Sequence, residues 1–426
     1  MSVMARALWL ALLGLGLSGC AALVERGDQP LDVSDDAEAA TYEVLYSADF
    51  LPADGIALVE IRVTQDAGQL READFRAPAS RYKPLAADGE LVETDRGFLW
   101  RPPEGGGVLT YEFKVANQRG RGNPPSYDAR MEAAWALLRA DHLFPPARTR
   151  TAGPAQSQPW IRLTGPDDWH FETRYGPVGA EPVAIRERER RFIRPTGWMV
   201  AGQLGIRRDE IAGIAVAVAG PTEQGFRRND ILAMLNWNLS ALLEVFPDER
   251  DRLLIVGAND PSWRGGLSGP YSLYLHTDRP MVNEDGTSTV IHELVHVYSR
   301  QSASGNDNWI IEGIADFYAV EIMRRTGTIT AARFERAVTS MAQRAQRIDT
   351  LKARGVNHDQ RAAAARLMYE IDQEIRAASN GRQSLDDLMP LLEPDRTALT
   401  QALFETALTD LLGRPSETLS DWAALL

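Results

Sequence analysis

Along its first half the chain alternates apolar and polar residues. Along its last third the apolar residues recur every three or four positions. Thr41-Tyr-Glu-Val-Leu-Tyr46, Ile56-Ala-Leu-Val-Glu-Ile-Arg-Val63 and Val108-Leu-Thr-Tyr-Glu-Phe-Lys-Val115 alternate or are rich in β-branched and aromatic residues. Gly, Pro and Asp clusters separate them, which predicts antiparallel strands. The pattern continues through Trp160-Ile-Arg-Leu-Thr164 and Gly197-Trp-Met-Val-Ala201. Residues 230–246 carry Ile231, Leu232, Leu235, Leu239, Leu242 and Leu243 at helical spacing, with Asn229 or Asp230 placed to cap the start. Leu253-Leu-Ile-Val256 reads as a short buried strand. After about Ser288 the pattern is almost wholly helical, with helices predicted over 332–347, 361–379 and 399–412. Ser384-Leu-Asp-Asp387 reads as a capping box opening another. The expected class is α+β, with an antiparallel β domain over 41–205 and a mainly helical domain over 206–426.

Length and charge narrow the possibilities. A chain of 426 residues suits two or three domains. Its 46 Lys and Arg stand against 59 Asp and Glu, a net charge of −13, so the basic surface of a nucleic-acid binder is not expected. With one Cys, neither an intramolecular disulfide nor a Cys-based zinc cluster can form. Any metal site must draw on Asp, Glu and the six His.

The first residues read as an address. Arg6 precedes a short apolar run from Ala7 to Leu17. As a helix that run spans roughly half a bilayer at about 1.5 Å per residue, which suits a secretory signal rather than an anchor. It ends Leu17-Ser18-Gly19-Cys20, which resembles the bacterial lipobox, and the chain's solitary Cys sits where lipid would be attached. The resemblance implies a signal peptide over 1–19, a lipidated Cys20 and a polar tether over 20–40. Ala21 and Ala22 follow rather than Asp, which by the same resemblance favours the outer membrane, facing the periplasm. Such a protein is anchored by lipid without spanning the bilayer.

The chemistry centres on Thr289-Val-Ile-His292-Glu293-Leu-Val-His296-Val-Tyr298, which contains H-E-x-x-H. Residues four apart share one helix face, so both imidazoles can reach one Zn²⁺ at about 2.0–2.1 Å. Glu293 lies on the adjoining edge, placed to take a proton from water activated by the metal. Val290, Ile291, Leu294, Val295 and Val297 predict a buried helix, and Thr287, Ser288 or Thr289 can cap it. The alternative is two core histidines satisfied by carbonyls, which would bury Glu293 between them without a metal, at a high cost. A second helix is predicted in Trp309-Ile-Ile-Glu312-Gly-Ile-Ala-Asp316-Phe-Tyr318. The loop from Ser302 to Asn308 lets the chain reverse, so that Glu312 faces the histidines as third ligand. Asp316, one turn on, would accept the free N–H of a ligand His.

H-E-x-x-H followed by W-x-x-E-G-x-x-D resembles the gluzincin metallopeptidases, and more narrowly the glycyl aminopeptidase family. That resemblance implies a thermolysin-like catalytic domain behind the β domain, a peptide or protein substrate and Zn²⁺ as cofactor. It extends over roughly residues 200–395, through Gly265-Gly-Leu-Ser-Gly-Pro-Tyr-Ser-Leu-Tyr274, Ile371-Asp-Gln-Glu-Ile-Arg376 and Ser384-Leu-Asp-Asp-Leu-Met389. There are departures. Ser268-Gly269 stand where the family has Glu-His, which weakens an aminopeptidase assignment. The family's oxyanion-stabilising Tyr falls near Gln360 or Arg361, leaving His358 as the candidate donor, with Tyr271, Tyr274 and Tyr369 behind it. The chain also ends too soon after Met389 for a PDZ domain.

The expectation is a membrane-anchored zinc peptidase, exo- or endo-acting, with Glu293 and His358 catalytic. The second reading is an inactive or weak metallopeptidase-fold lipoprotein serving as a scaffold in the cell envelope. A third is a structural zinc site in an envelope assembly factor. His142, His170 and His276 lack ligand spacing and read as ordinary. Oligomeric state is not legible.

Overall fold

The computed structural model describes residues 40–120, 122, 124–187, 191–392 and 398–426. The signal, Cys20 and nearly all of the tether lie outside these residues. Among the described residues no helix is long and apolar enough to cross a membrane.

Alternation in the first half becomes sheet. In the strand Thr41–Leu51, Tyr42, Val44, Tyr46, Ala48 and Phe50 are buried, each two residues from the last. This strand pairs antiparallel with Ile56–Thr64, which pairs antiparallel with Gly106–Lys114. Its other neighbour, Gln156–Thr164, runs parallel to it, with Thr41 opposite Gln156 and Asp49 opposite Thr164. The purely antiparallel expectation is therefore corrected here. A parallel pair needs a long connection, and that connection holds Ile56–Thr64, Tyr82–Ala87 and Gly106–Lys114 of the same sheet together with strands of two further sheets. Among the described residues, the β domain holds two six-stranded sheets and one of four strands around an aromatic core.

A five-stranded sheet begins at Leu204, two residues before the expected domain boundary. Its spatial order is Leu204–Ile211, Ile214–Pro221, Arg252–Ala258, Ser272–His276, Gly266–Gly269. The second, third and fourth strands are parallel; the outer two run against them. Helix Arg228–Val245 connects the second to the third. It starts ahead of the expected caps: Arg227 is its N-cap, and Asn229 and Asp230 already sit in its first turn.

Behind the sheet lie helices Thr289–Ser299, Trp309–Arg325, Ala331–Ala345, His358–Ala378 and Gln401–Leu412, sharing one apolar core. Ser384 does form a capping box, but it opens only a three-residue 3₁₀ turn, Leu385–Asp387. A second 3₁₀ turn, Met389–Leu392, follows, and Pro390 within it has no N–H to carry a longer α-helix. The β domain joins this unit through a small core. Trp135, Leu137, Trp198 and Val200 pack on Leu254, Val256, Leu267 and Tyr274 of the five-stranded sheet.

Candidate metal centre

Helix Thr289–Ser299 is capped by Ser288, whose Oγ accepts from the Ile291 N–H at 3.4 Å and donates to the Met281 carbonyl at 2.6 Å. Val290, Ile291 and Leu294 anchor it in the core. That fixes its rotation, so His292 and His296 share the remaining face with ring centroids 4.6 Å apart. Helix Trp309–Arg325 packs against it and presents Glu312 and Asp316, both buried. His292 Nδ1 lies 2.7 Å from Asp316 Oδ1, the distance of an N–H donated to a carboxylate. That fixes the tautomer and leaves the Nε2 lone pair free.

His292 Nε2 and His296 Nε2 stand 3.1 Å apart. Glu312 places one carboxylate oxygen 3.6 Å from the first and the other 3.7 Å from the second. A tetrahedral zinc with bonds near 2.1 Å would separate its ligand atoms by about 3.4 Å. The three side chains therefore fit Zn²⁺ in spacing and in chemistry. Two imidazole lone pairs aimed at each other beside a carboxylate repel unless a cation or proton lies between them.

Why the two helices and the last long one converge here is legible in small residues. At Gly313 an added Cβ would lie 2.9 Å from the Ala364 Cβ and 3.0 Å from its backbone. Glycine thus lets helix His358–Ala378 approach closely, opposite the run Ala362–Ala365. This approach carries Arg361 into the site. Its guanidinium forks onto Asp316, Nη2 to Oδ1 at 2.7 Å and Nε to Oδ2 at 3.1 Å, with Nε 3.4 Å from Glu312. Asn357 and Gln360 cap the helix reciprocally and fix where it starts.

Glu293 is buried and does not point with the ligands. It packs on the edge strand Gly266–Gly269, where a Cβ on Gly266 would fall 2.5 Å from Glu293 Cγ. The Ser268 N–H donates to its carboxylate. The edge strand is itself held from behind: Trp198 Nε1 donates to the Leu267 carbonyl at 2.9 Å, and Ser272 Oγ accepts from the Trp198 N–H at 2.8 Å. The small junction core therefore positions the strand that positions Glu293.

Burial pushes the Glu293 and Glu312 carboxyls above their ordinary values. Asp316 goes the other way. Burial alone would raise it, but Arg361 and His292 hold it well below the usual carboxylate range. His296 is driven well below the ordinary imidazole value by burial, His292 and Arg361, which keeps its lone pair free for a metal.

The sequence-predicted residues His292, Glu293, His296, Glu312 and Asp316 thus come together. His358 does not join them. It is exposed at the first position of its helix, and Arg361, three residues on, occupies the site instead. The tyrosines expected behind it are used elsewhere. Tyr274 donates to the Trp263 carbonyl, Tyr271 stacks under Arg250, and Tyr369 packs on Phe334.

A second constellation escaped the sequence reading because its members are scattered. His276, almost wholly buried, lies with Nε2 3.5 Å from Asp260 and Nδ1 3.9 Å from Asp278. It is built differently. The Asp278 N–H donates to Nδ1 at 3.2 Å, which leaves Nε2 as an N–H donor. Arg264 already grips Asp260 with both Nε and Nη2. The cation of this cluster is a guanidinium.

By sequence the chain matches no protein family and no curated protein. By fold it matches solved structures. An aminopeptidase N family protein from Idiomarina loihiensis aligns with a TM-score of 0.64 at 12% identity, over 89% of this chain and 73% of that one. The M1 zinc metallopeptidase of Deinococcus radiodurans, as a variant bound to a Tyr-Ser-Ala substrate, aligns at 0.56 and 15% identity, over 91% and 94%. The same enzyme solved as wild type aligns at 0.55 and 15% identity, over 90% and 93%. The arrangement of a β domain followed by a helical domain is therefore that of the aminopeptidase N-like fold.

Proposed function

We propose that this protein is a zinc-dependent peptidase. One observation carries the reading: three ligand side chains converge with zinc spacing while Glu293, buried beside them, is not a ligand. A structural zinc site has no use for such a group. His292, His296 and Glu312 would hold the ion, and Asp316 would orient His292. The metal, when bound, supplies Lewis acidity to the scissile carbonyl and to water. Glu293 takes the proton of the attacking water and returns it to the leaving amine, and its raised affinity for protons suits both tasks. Substrate lies along the strand Gly266–Gly269, whose outer edge is unpaired among the described residues and adds a peptide as a further strand.

No carboxylate stands at Ser268 or Gly269 to hold a free amino terminus. Internal bonds are therefore the proposed target. Lipid on Cys20 would hold the enzyme on the outer membrane, facing the periplasm. The test is digestion of paired peptides, free or acetylated at the amino terminus, by zinc-loaded wild type and Glu293→Gln. Equal cleavage of both forms by the wild type, abolished in the variant, supports the reading. Activity that survives Glu293→Gln sinks the mechanism, and activity confined to free amino termini sinks the internal cleavage.

A further inference from the structure

We propose that Arg361 is the anion-binding residue of this site, the group that meets negative charge on the substrate beside the metal. The inference rests on the metallopeptidase reading and names a residue that reading did not require. Arg361 reaches into a site crowded with carboxylates: Glu312, Asp316 and Glu293 all act on its charge. Only one edge of the guanidinium is used up. Nε and Nη2 fork onto Asp316. The approach of Nη2 to His292 Nδ1, at 3.3 Å, brings together two donors that share that carboxylate. Nη1, with two N–H groups, makes no hydrogen bond among the described residues, and the side chain keeps a third of its surface exposed. A guanidinium anchored on one edge and open on the other is a preorganised anion receptor, because its orientation is already fixed. The imidazole expected in this role, His358, lies exposed one turn earlier.

Two sources offer the right anion. One is the oxyanion that develops on the carbonyl oxygen during attack. The other is a carboxylate already on the substrate, terminal or side-chain. Both present an oxygen with full or growing negative charge to Nη1, and kinetics separates them. Losing stabilisation of a developing charge lowers kcat, by about 10²–10³ for one preorganised donor. Losing a ground-state carboxylate contact raises KM instead.

The experiment uses the full chain loaded with cobalt(II), whose visible absorption reports on ligands at the metal and needs no turnover. Wild type, Arg361→Lys and Arg361→Gln are titrated with acetate and with methylphosphonate. Anion affinity should fall tenfold or more in Arg361→Gln and less in Arg361→Lys, with cobalt still bound. Methylguanidinium added to Arg361→Ala should restore part of the loss, which a merely structural role would not allow. Arg361→Gln that binds cobalt and both anions like wild type overturns this inference alone. A wild type that takes up no cobalt overturns the metal centre, and the inference with it.

Discussion

Among the described residues, two clusters bring histidine and carboxylate side chains within reach of one metal ion, and they differ in where the lone pairs point. At His292 and His296, the two Nε2 atoms and the Glu312 carboxylate face one point, while the outer nitrogen of His292 is tied to Asp316. At His276 the free lone pair is spent on a backbone N–H, and Arg264 sits against Asp260. Each gathers three ligand-type side chains, two imidazoles and a carboxylate in the first and one imidazole and two exposed carboxylates in the second. What separates a metal site from a buried ion-pair cluster is the tautomer its neighbours enforce.

The comparison can be broken in several ways, the strongest first. Glu293→Gln should lower kcat/KM by several orders of magnitude while zinc content stays near that of the wild type, as steady-state kinetics beside elemental analysis would show. Retained activity contradicts the role. Asp316→Asn keeps the shape of the orienting residue but removes its charge. Zinc affinity should fall by about 10–100-fold, measured by competition with a chelator, whereas Asp278→Asn at the other cluster should leave it unchanged. Gly266→Ala drives a Cβ into Glu293 and should reduce kcat by roughly tenfold or more with zinc still bound. A drop in zinc content there would mean the strand supports the ligands instead.

The smallest effect concerns pH. Burial lowers the His276 imidazole below its ordinary value, so folding favours its neutral form. A group shifted that way contributes its stability fully above the unfolded value, about 6.5, and loses it as pH falls through the lower folded value. Thermal melts of the metal-free protein below pH 6.5 should therefore decline less steeply in His276→Gln than in wild type. An identical slope removes His276 from the acid response.

The ligands were legible because they are local. His292, Glu293 and His296 lie within one and a half turns of one helix, and Glu312 and Asp316 within little more than one turn of the next. Helical periodicity then fixes their faces. The strands were legible for the same reason, since alternation records which face is buried. Pairing was not. The parallel neighbour of Thr41–Leu51 lies far along the chain, and no short-range signal records it. Arg361 was obscured for a related reason. It opens an alanine-rich stretch that reads as plain helix, and its importance appears only when Gly313 meets Ala364. A glycine between the Glu and the Asp of one helix, with a run of alanines in another, is the trace of that contact in the sequence.

The most direct measurement is the zinc-to-protein ratio of the purified full chain, determined for wild type, His296→Ala and His276→Ala together. A ratio near one that collapses in His296→Ala and persists in His276→Ala is the predicted result. A ratio that survives His296→Ala, or depends on His276, would contradict the assignment of the metal to the H-E-x-x-H helix.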